Sequence, residues 1–454
     1  MINPAWFALN TSRSLDDPSL KIYMRATVFI SEYLIYVPAV VLFVRRFSRM
    51  QRVNSQEASI ALVAILMQPA TILIDHAHFQ YNTVMLGFVA ATMACINANK
   101  LLWACVFFVA SLGFKQMALY YAPTVFTYLL GTCLFPRLRL GRLISIALVT
   151  VTSFALLFLP LLVGAIYNSY QGVSIPSSVP PLLQGLSLND KALYYAPLIQ
   201  LTQSIHRIFP FARGLFEDKV ANFWCAIHTF HKLNGYPTVW LQRISLGATA
   251  SAILPPCLTL VIRPQRRLLP LALAATAWGF FLFSFQVHEK SVLLPLLPMT
   301  LMLSGEDGLL PQTRAWVTWA NVLGAWTLFP LLKRDELRIP YFILTLLWAW
   351  LMGVPEMLTS MDSSRHSGPT GLLTRLFHGS FYLAMIVWHV VEAFVPVPDG
   401  KPDLWVVVNV LIGAAGFGVC YLWCLWSLAR LVFKDSRWGK AKTRFGTNGK
   451  PKIL

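Results

Sequence analysis

The residues best suited to chemistry stand in short clusters at the ends of long apolar runs. The densest is Asp75-His76-Ala77-His78-Phe79-Gln80-Tyr81-Asn82, where six of eight side chains ionise or hydrogen-bond. A loop that merely joins two apolar helices needs none of them, and burying such groups without partners costs kcal/mol each. On a helix the two imidazoles, two residues apart, point away from each other. Asp75, His78 and Asn82 are expected to share one helical face, at i, i+3 and i+7. Three readings are open: a His-x-His metal site, a polar cap satisfying helix ends, or a site for a polar, anionic ligand. No second carboxylate–histidine cluster completes a metal site, so no metal is expected.

Three more clusters follow. Lys115-Gln116 closes an apolar run; the lysine is either a snorkelling anchor or a ligand contact. Arg207 and Arg213 stand in a segment that interleaves aromatics with charges, Gln203 to Lys219. Their planar forks suit phosphate, and amphipathic segments of this kind lie in a membrane interface. His288-Glu289-Lys290 ends another run. It is either a solvated turn or a sugar-phosphate contact, with His and Lys donating to phosphate oxygens and Glu accepting from hydroxyls.

The elements that carry these clusters follow from composition. Of 454 residues 56% are hydrophobic and 12% charged, whereas soluble domains carry about a quarter charged residues. Continuous apolar runs of spanning length recur, which points to an all-α polytopic membrane protein rather than an alternating β-barrel. Thirteen spans are expected, near 22–44, 57–74, 82–97, 101–114, 119–134, 143–167, 239–262, 268–285, 291–304, 312–332, 338–358, 373–395 and 404–433. Five regions result: a luminal remnant (1–21), six spans (22–167), a long luminal loop (168–237), seven spans (238–433) and a basic cytosolic tail (434–454). Residues 1–20 are polar and lack a signal-peptide core. Glu32 is the plainly mid-span charge, and no inverted repeat is visible, which weighs against the rival reading of a transporter.

The formal charge of +18 gives orientation rather than nucleic-acid binding. By alternation one side carries 22 of the 37 Lys+Arg but 6 of the 19 Asp+Glu, as a cytosolic face should. All four polar clusters then fall on the opposite face. The sequon Asn10-Thr11-Ser12 shares that face, and Lys450 and Lys452 near the C-terminus match a dilysine retrieval address of the endoplasmic reticulum. The seven cysteines show neither disulfide nor metal spacing, so buried thiols are expected.

The pattern of these clusters resembles the endoplasmic reticulum glucosyltransferases that use dolichyl-phosphate glucose. It is carried by Asp75 to Asn82, Lys115-Gln116-Met117-Ala118-Leu119-Tyr120-Tyr121, Phe209 to Trp224 and Phe285-Gln286-Val287-His288-Glu289-Lys290. Lys115-Gln116-Met117 and Phe285-Gln286-Val287-His288 look like the member that adds the first α-1,3-glucose. The resemblance implies a GT-C type helical bundle with one further span at the N-terminus. It also implies a luminal active face, a cytosolic C-terminus, and no cofactor or metal. It implies inverting transfer from dolichyl-phosphate glucose to dolichyl-pyrophosphate Man9GlcNAc2 during N-glycan precursor assembly. The expected binding residues are His288, Arg207, Lys115, Asp75, His76, His78, Gln80, Asn82, Gln116, Arg213, Glu289 and Lys290. The family's base, an aspartate, lies on a loop that aligns ahead of residue 1, so no catalytic base is assigned within the chain. An alternative expectation is a shortened, inactive relative that still binds dolichol lipids.

Overall fold

A computed structural model describes residues 3–8, 12, 15, 17–173, 183–185, 187–189, 192–208, 219–359 and 369–444. Among the described residues every regular element is helical. Nine helices among the described residues are long and apolar enough to cross a membrane. Three shorter apolar helices, Asn82–Asn97, Leu101–Phe114 and Arg338–Leu351, and the unbroken helical run 289–304 fall on the other expected spans. The chain is an all-α, multi-pass membrane protein.

Burial grades outward from a central pair. Arg266–Phe283 and Pro311–Arg334 are enclosed on nearly all sides, whereas Leu140–Tyr170 lies at the edge and exposes Leu148, Val151 and Leu156. Exposed apolar side chains suit a helix whose solvent is lipid. Between such helices there is little hydrophobic drive, so close packing and polar contacts hold them together. Gly87 illustrates the packing: a Cβ there would stand 2.8 Å from Tyr36 Cα. That contact presses Asn82–Asn97 against residues 32–36. Buried amides supply polar contacts, with Gln68 Nε2 donating to Asn321 Oδ1 at 2.8 Å and Asn321 Nδ2 donating to Thr300 Oγ1 at 3.0 Å. Cys105, Cys133, Cys257, Cys420 and Cys424 are buried thiols.

Contacts between distant loops sort the helix ends into two sets, as the alternation expects. At one end Tyr81 shares a hydrogen bond with Thr27, Lys219 pairs with Asp403, and Lys333 pairs with Glu392. At the other, Ser48 Oγ donates to Ser304 O, Arg266 Nη1 to Asn97 O, and Arg263 Nη1 to Val432 O. All the described polar clusters belong to the first set.

Two local expectations are corrected. Glu32 is not at mid-membrane depth: its pair with His76, at the end of the run Ser55–Ala77, sets it level with the polar stretch, in a widened turn, Glu32–Tyr36, within the helical run Pro18–Gln51. Pro38 follows that turn and offers no N–H to the preceding carbonyls, and the Val37 N–H instead reaches Glu32 O. Nor do Asp75, His78 and Asn82 share one helical face. The helix ends in a second widened turn, Leu73–Ala77, and Phe79 then takes the left-handed region at φ 75°. Asn82 therefore opens the next helix instead of extending the first.

Candidate functional site

That reversal is what builds the site. A widened turn followed by a left-handed residue folds the chain back within five residues, at a strain of about 1–2 kcal/mol for a bulky residue such as Phe79. Asn82 is thereby brought against Asp75. Asp75 is fully buried, yet its carboxylate is satisfied: Oδ1 accepts from Asn82 Nδ2 at 2.7 Å and Oδ2 accepts from the Thr83 N–H. The second of these is a first-turn amide of the new helix, where negative charge is favoured.

Asn82 passes this order outward. Its Nδ2 also reaches Gln80 Oε1 at 3.2 Å, and its Oδ1 accepts from Lys115 Nζ. Lys115 Nζ donates to Gln80 Oε1 as well, at 3.1 Å. The lysine is thus fixed by two side-chain oxygens beside a buried carboxylate, not extended along the interface as a snorkelling anchor. Its ammonium is held below the ordinary lysine value of 10.5, chiefly by burial and further by nearby Lys290, while Asp75 opposes the shift.

The two imidazoles diverge, as their spacing requires. His76 Nε2 pairs with the Glu32 carboxylate and His78 Nδ1 with Asp335. Asp335 follows the helix Phe329–Arg334, so His78 ties the opening stretch to a loop more than 250 residues away. The neighbouring Arg334 lies 3.8 Å from Glu289, a pair of small energetic weight because Arg334 is largely exposed. His288 accepts a hydrogen bond from the Lys290 N–H at 3.5 Å through Nδ1 and caps the short helix Glu289–Val292. Phe283, five residues earlier, is anchored through its carbonyl, which accepts from Trp224 Nε1 at 2.8 Å and Ser245 Oγ at 2.7 Å. The described part of the long loop is therefore locked to the start of the His288 segment.

Asp75, His76, His78, Gln80, Asn82, Lys115, Glu289 and Lys290 thus share one end of the bundle with His288. Gln116 is exposed beside Lys115 and belongs to no bond within this cluster. The helix Tyr195–Ile208 carries Arg207 near its end, but the Arg207 side chain and all of Arg213 lie outside the described residues. So do the sequon residues Asn10 and Thr11, and Lys450 and Lys452. Among the described residues no cluster of three metal-ligating side chains is found.

Sequence reasoning placed Glu32 at mid-span rather than at the site, and it missed Asp335 and Arg334. A signal for the last two was present: Lys333-Arg334-Asp335-Glu336 is a run of four charges between two spans on the polar side. Glu32 had no such signal, because a single glutamate in an apolar helix gives no depth until the helix's offset is known.

Chemically, the arrangement offers cations and neutral donors on a carboxylate-braced frame at one end of the helical bundle. That suits an anionic headgroup presented from a lipid. The chain is similar to a Schizosaccharomyces pombe protein named probable dolichyl pyrophosphate Man9GlcNAc2 alpha-1,3-glucosyltransferase, at 42% identity over 96% of this chain and 77% of that one. It is similar to the Saccharomyces cerevisiae dolichyl pyrophosphate Man9GlcNAc2 alpha-1,3-glucosyltransferase at 40% identity over 94% and 76%. The Gallus gallus protein of that name matches at 35% identity over 76% and 61%. With a family model matched across residues 1–426, the chain belongs to the ALG6, ALG8 glycosyltransferase family.

Proposed function

We propose that this protein transfers glucose from dolichyl-phosphate glucose to the dolichyl-pyrophosphate Man9GlcNAc2 oligosaccharide, forming an α-1,3 linkage. The reading is supported by relatives of that printed function at 40–42% identity over almost the whole chain. One geometric observation carries it to residues: Lys115 is fixed by Gln80 and Asn82 at the same end of the bundle as His288. The site face is the lumen of the endoplasmic reticulum, and the basic tail is cytosolic.

The reaction inverts the anomeric centre. The mannose 3-hydroxyl oxygen attacks C1 of the β-linked glucosyl phosphate, the C1–O bond to phosphate breaks, and dolichyl phosphate leaves with the bonding electrons. A general base takes the hydroxyl proton; it is not assigned to any residue of this chain. His288 and Lys115, with Arg207 and Arg213, stabilise charge developing on the leaving phosphate. Asp75, Asn82 and Gln80 hold Lys115 in place, and His76, His78, Gln116, Glu289 and Lys290 shape the sugar-facing pocket. Side-chain cations bear the phosphate charge without a metal.

The test is a transfer assay with the purified protein, radiolabelled dolichyl-phosphate glucose and two lipid acceptors. One acceptor carries Man9GlcNAc2 and the other the same glycan already bearing one glucose. Transfer to the first in α-1,3 linkage supports the reading. Transfer only to the second would move the chain to the next glucosylation step, and facilitated movement of lipid without transfer would make it a transporter.

A further inference from the structure

A cavity of about 780 Å³ opens at the end of the bundle opposite the polar site. It is lined by charges of both signs: Arg267 and Arg430, and Glu306 and Asp307. The remainder of its wall is mixed, with Phe47, Leu271 and Met302 apolar and Ser427 and Gln312 polar. A simple anion would be repelled by the acids and a simple cation by the arginines. The ligand that matches carries both charges a short distance apart, joined to something apolar.

The acidic edge is rigidly built. The Gly305 N–H donates to Met302 O, and the Gly308 N–H to Gly305 O, both at 3.0 Å. A Cβ at Gly308 would stand 2.2 Å from Leu303 O, and one at Gly305 would stand 3.2 Å from Phe47 Cε1. Gly308 in particular lets this turn fold onto the Leu303 carbonyl and hold Glu306 and Asp307 at the rim. The opposite edge belongs to the span Leu404–Phe433. Trp426 and Arg430 line the cavity and are also exposed on that span, so the cavity opens toward the bilayer at interfacial depth, where indoles reside.

We propose that this cavity is a binding site for a headgroup that combines a phosphodiester with a primary amine, the chemistry of phosphatidylethanolamine. Arg267 and Arg430 take the phosphate, Glu306 and Asp307 accept from the ammonium, and the apolar wall takes the start of the acyl chains. A primary amine is favoured over a quaternary one. The primary ammonium can donate hydrogen bonds to the Glu306 and Asp307 carboxylates at the rim, which a trimethylammonium group, having no N–H, cannot. The inference does not rest on the transferase reading.

Native mass spectrometry of the full chain released from nanodiscs tests it, with phosphatidylethanolamine, phosphatidylcholine and phosphatidylglycerol titrated in turn. Phosphatidylethanolamine is expected to be retained about ten-fold more tightly than either competitor, the scale of one charge-assisted contact. The Glu306→Gln/Asp307→Asn double variant should switch preference to phosphatidylglycerol, a gain that a misfolded protein does not show. The Arg267→Gln/Arg430→Gln variant should lose both lipids. Displacement by millimolar glycerophosphoethanolamine assigns recognition to the headgroup alone, and its failure beside retained phosphatidylethanolamine assigns it to the intact lipid. Equal retention of all three lipids, or an unchanged preference in both double variants, overturns the proposal.

Discussion

Replacing Asp75 with Asn should cost activity well beyond the loss of one charge, because Asp75 sets the orientation of everything outward of it. The native carboxylate is fully buried and accepts two hydrogen bonds, from the Asn82 amide and the Thr83 N–H. An asparagine of the same shape offers one acceptor and one NH2 group. If its oxygen keeps Thr83, its NH2 faces the Asn82 NH2. If Asn82 flips to accept, its own NH2 turns toward Lys115, and the bond from Lys115 Nζ to Asn82 Oδ1 is lost. Either way a buried donor is stranded, at about 1–3 kcal/mol, and Lys115 loses its carboxylate neighbour. At about 1.4 kcal/mol per decade, kcat/KM for glucose transfer should fall roughly 5- to 150-fold. The assay is steady-state transfer by purified Asp75→Asn protein whose thermal unfolding is followed in parallel. A variant within about two-fold of native kcat/KM, with an unchanged alkaline limb, would refute the relay.

Three further outcomes follow from the same geometry. His288→Ala should lower kcat by about two to three orders of magnitude, the usual scale for one preorganised donor on a leaving group; near-normal transfer in microsomes would remove it from the mechanism. A double-mutant cycle on His78→Ala and Asp335→Ala should show coupling of about 0.5–1 kcal/mol in unfolding stability, because the pair is partly exposed, whereas simple additivity would mean that the pair does not act together. Lys115 must be charged to meet phosphate. Its ammonium is held below the ordinary lysine value by burial, so it deprotonates at lower pH than an ordinary lysine. Transfer should therefore decline on the alkaline side earlier than a normal lysine dictates. Lys115→Arg, permanently charged, should push that decline upward in measured pH–rate profiles.

Much of the architecture was legible in the sequence because a bilayer simplifies the code. Apolar run length marks the spans, and the distribution of Lys and Arg marks their alternation. The grouping of Asp75, Lys115 and His288 at one end then followed by parity alone. What was not legible depends on backbone detail. A helical wheel placed His78 with Asp75 and Asn82, but the widened turn and the left-handed Phe79 break that wheel and send His78 to Asp335 instead. Glu32 looked like a mid-membrane charge because its helix was assumed to be centred on its apolar residues. In fact the close contact at Gly87 and the pair with His76 set Glu32 level with the polar stretch. Composition cannot report such offsets; packing at single residues decides them.

The most direct measurement is a cryo-electron microscopy map of the protein with a non-hydrolysable dolichyl-phosphate glucose analogue. The account predicts phosphate density at the polar end, within hydrogen-bonding reach of His288 and of Lys115 Nζ, with the glucosyl group toward the His76–Asn82 turn. Phosphate density at the other end, between Arg267 and Arg430, with none near His288, would contradict it.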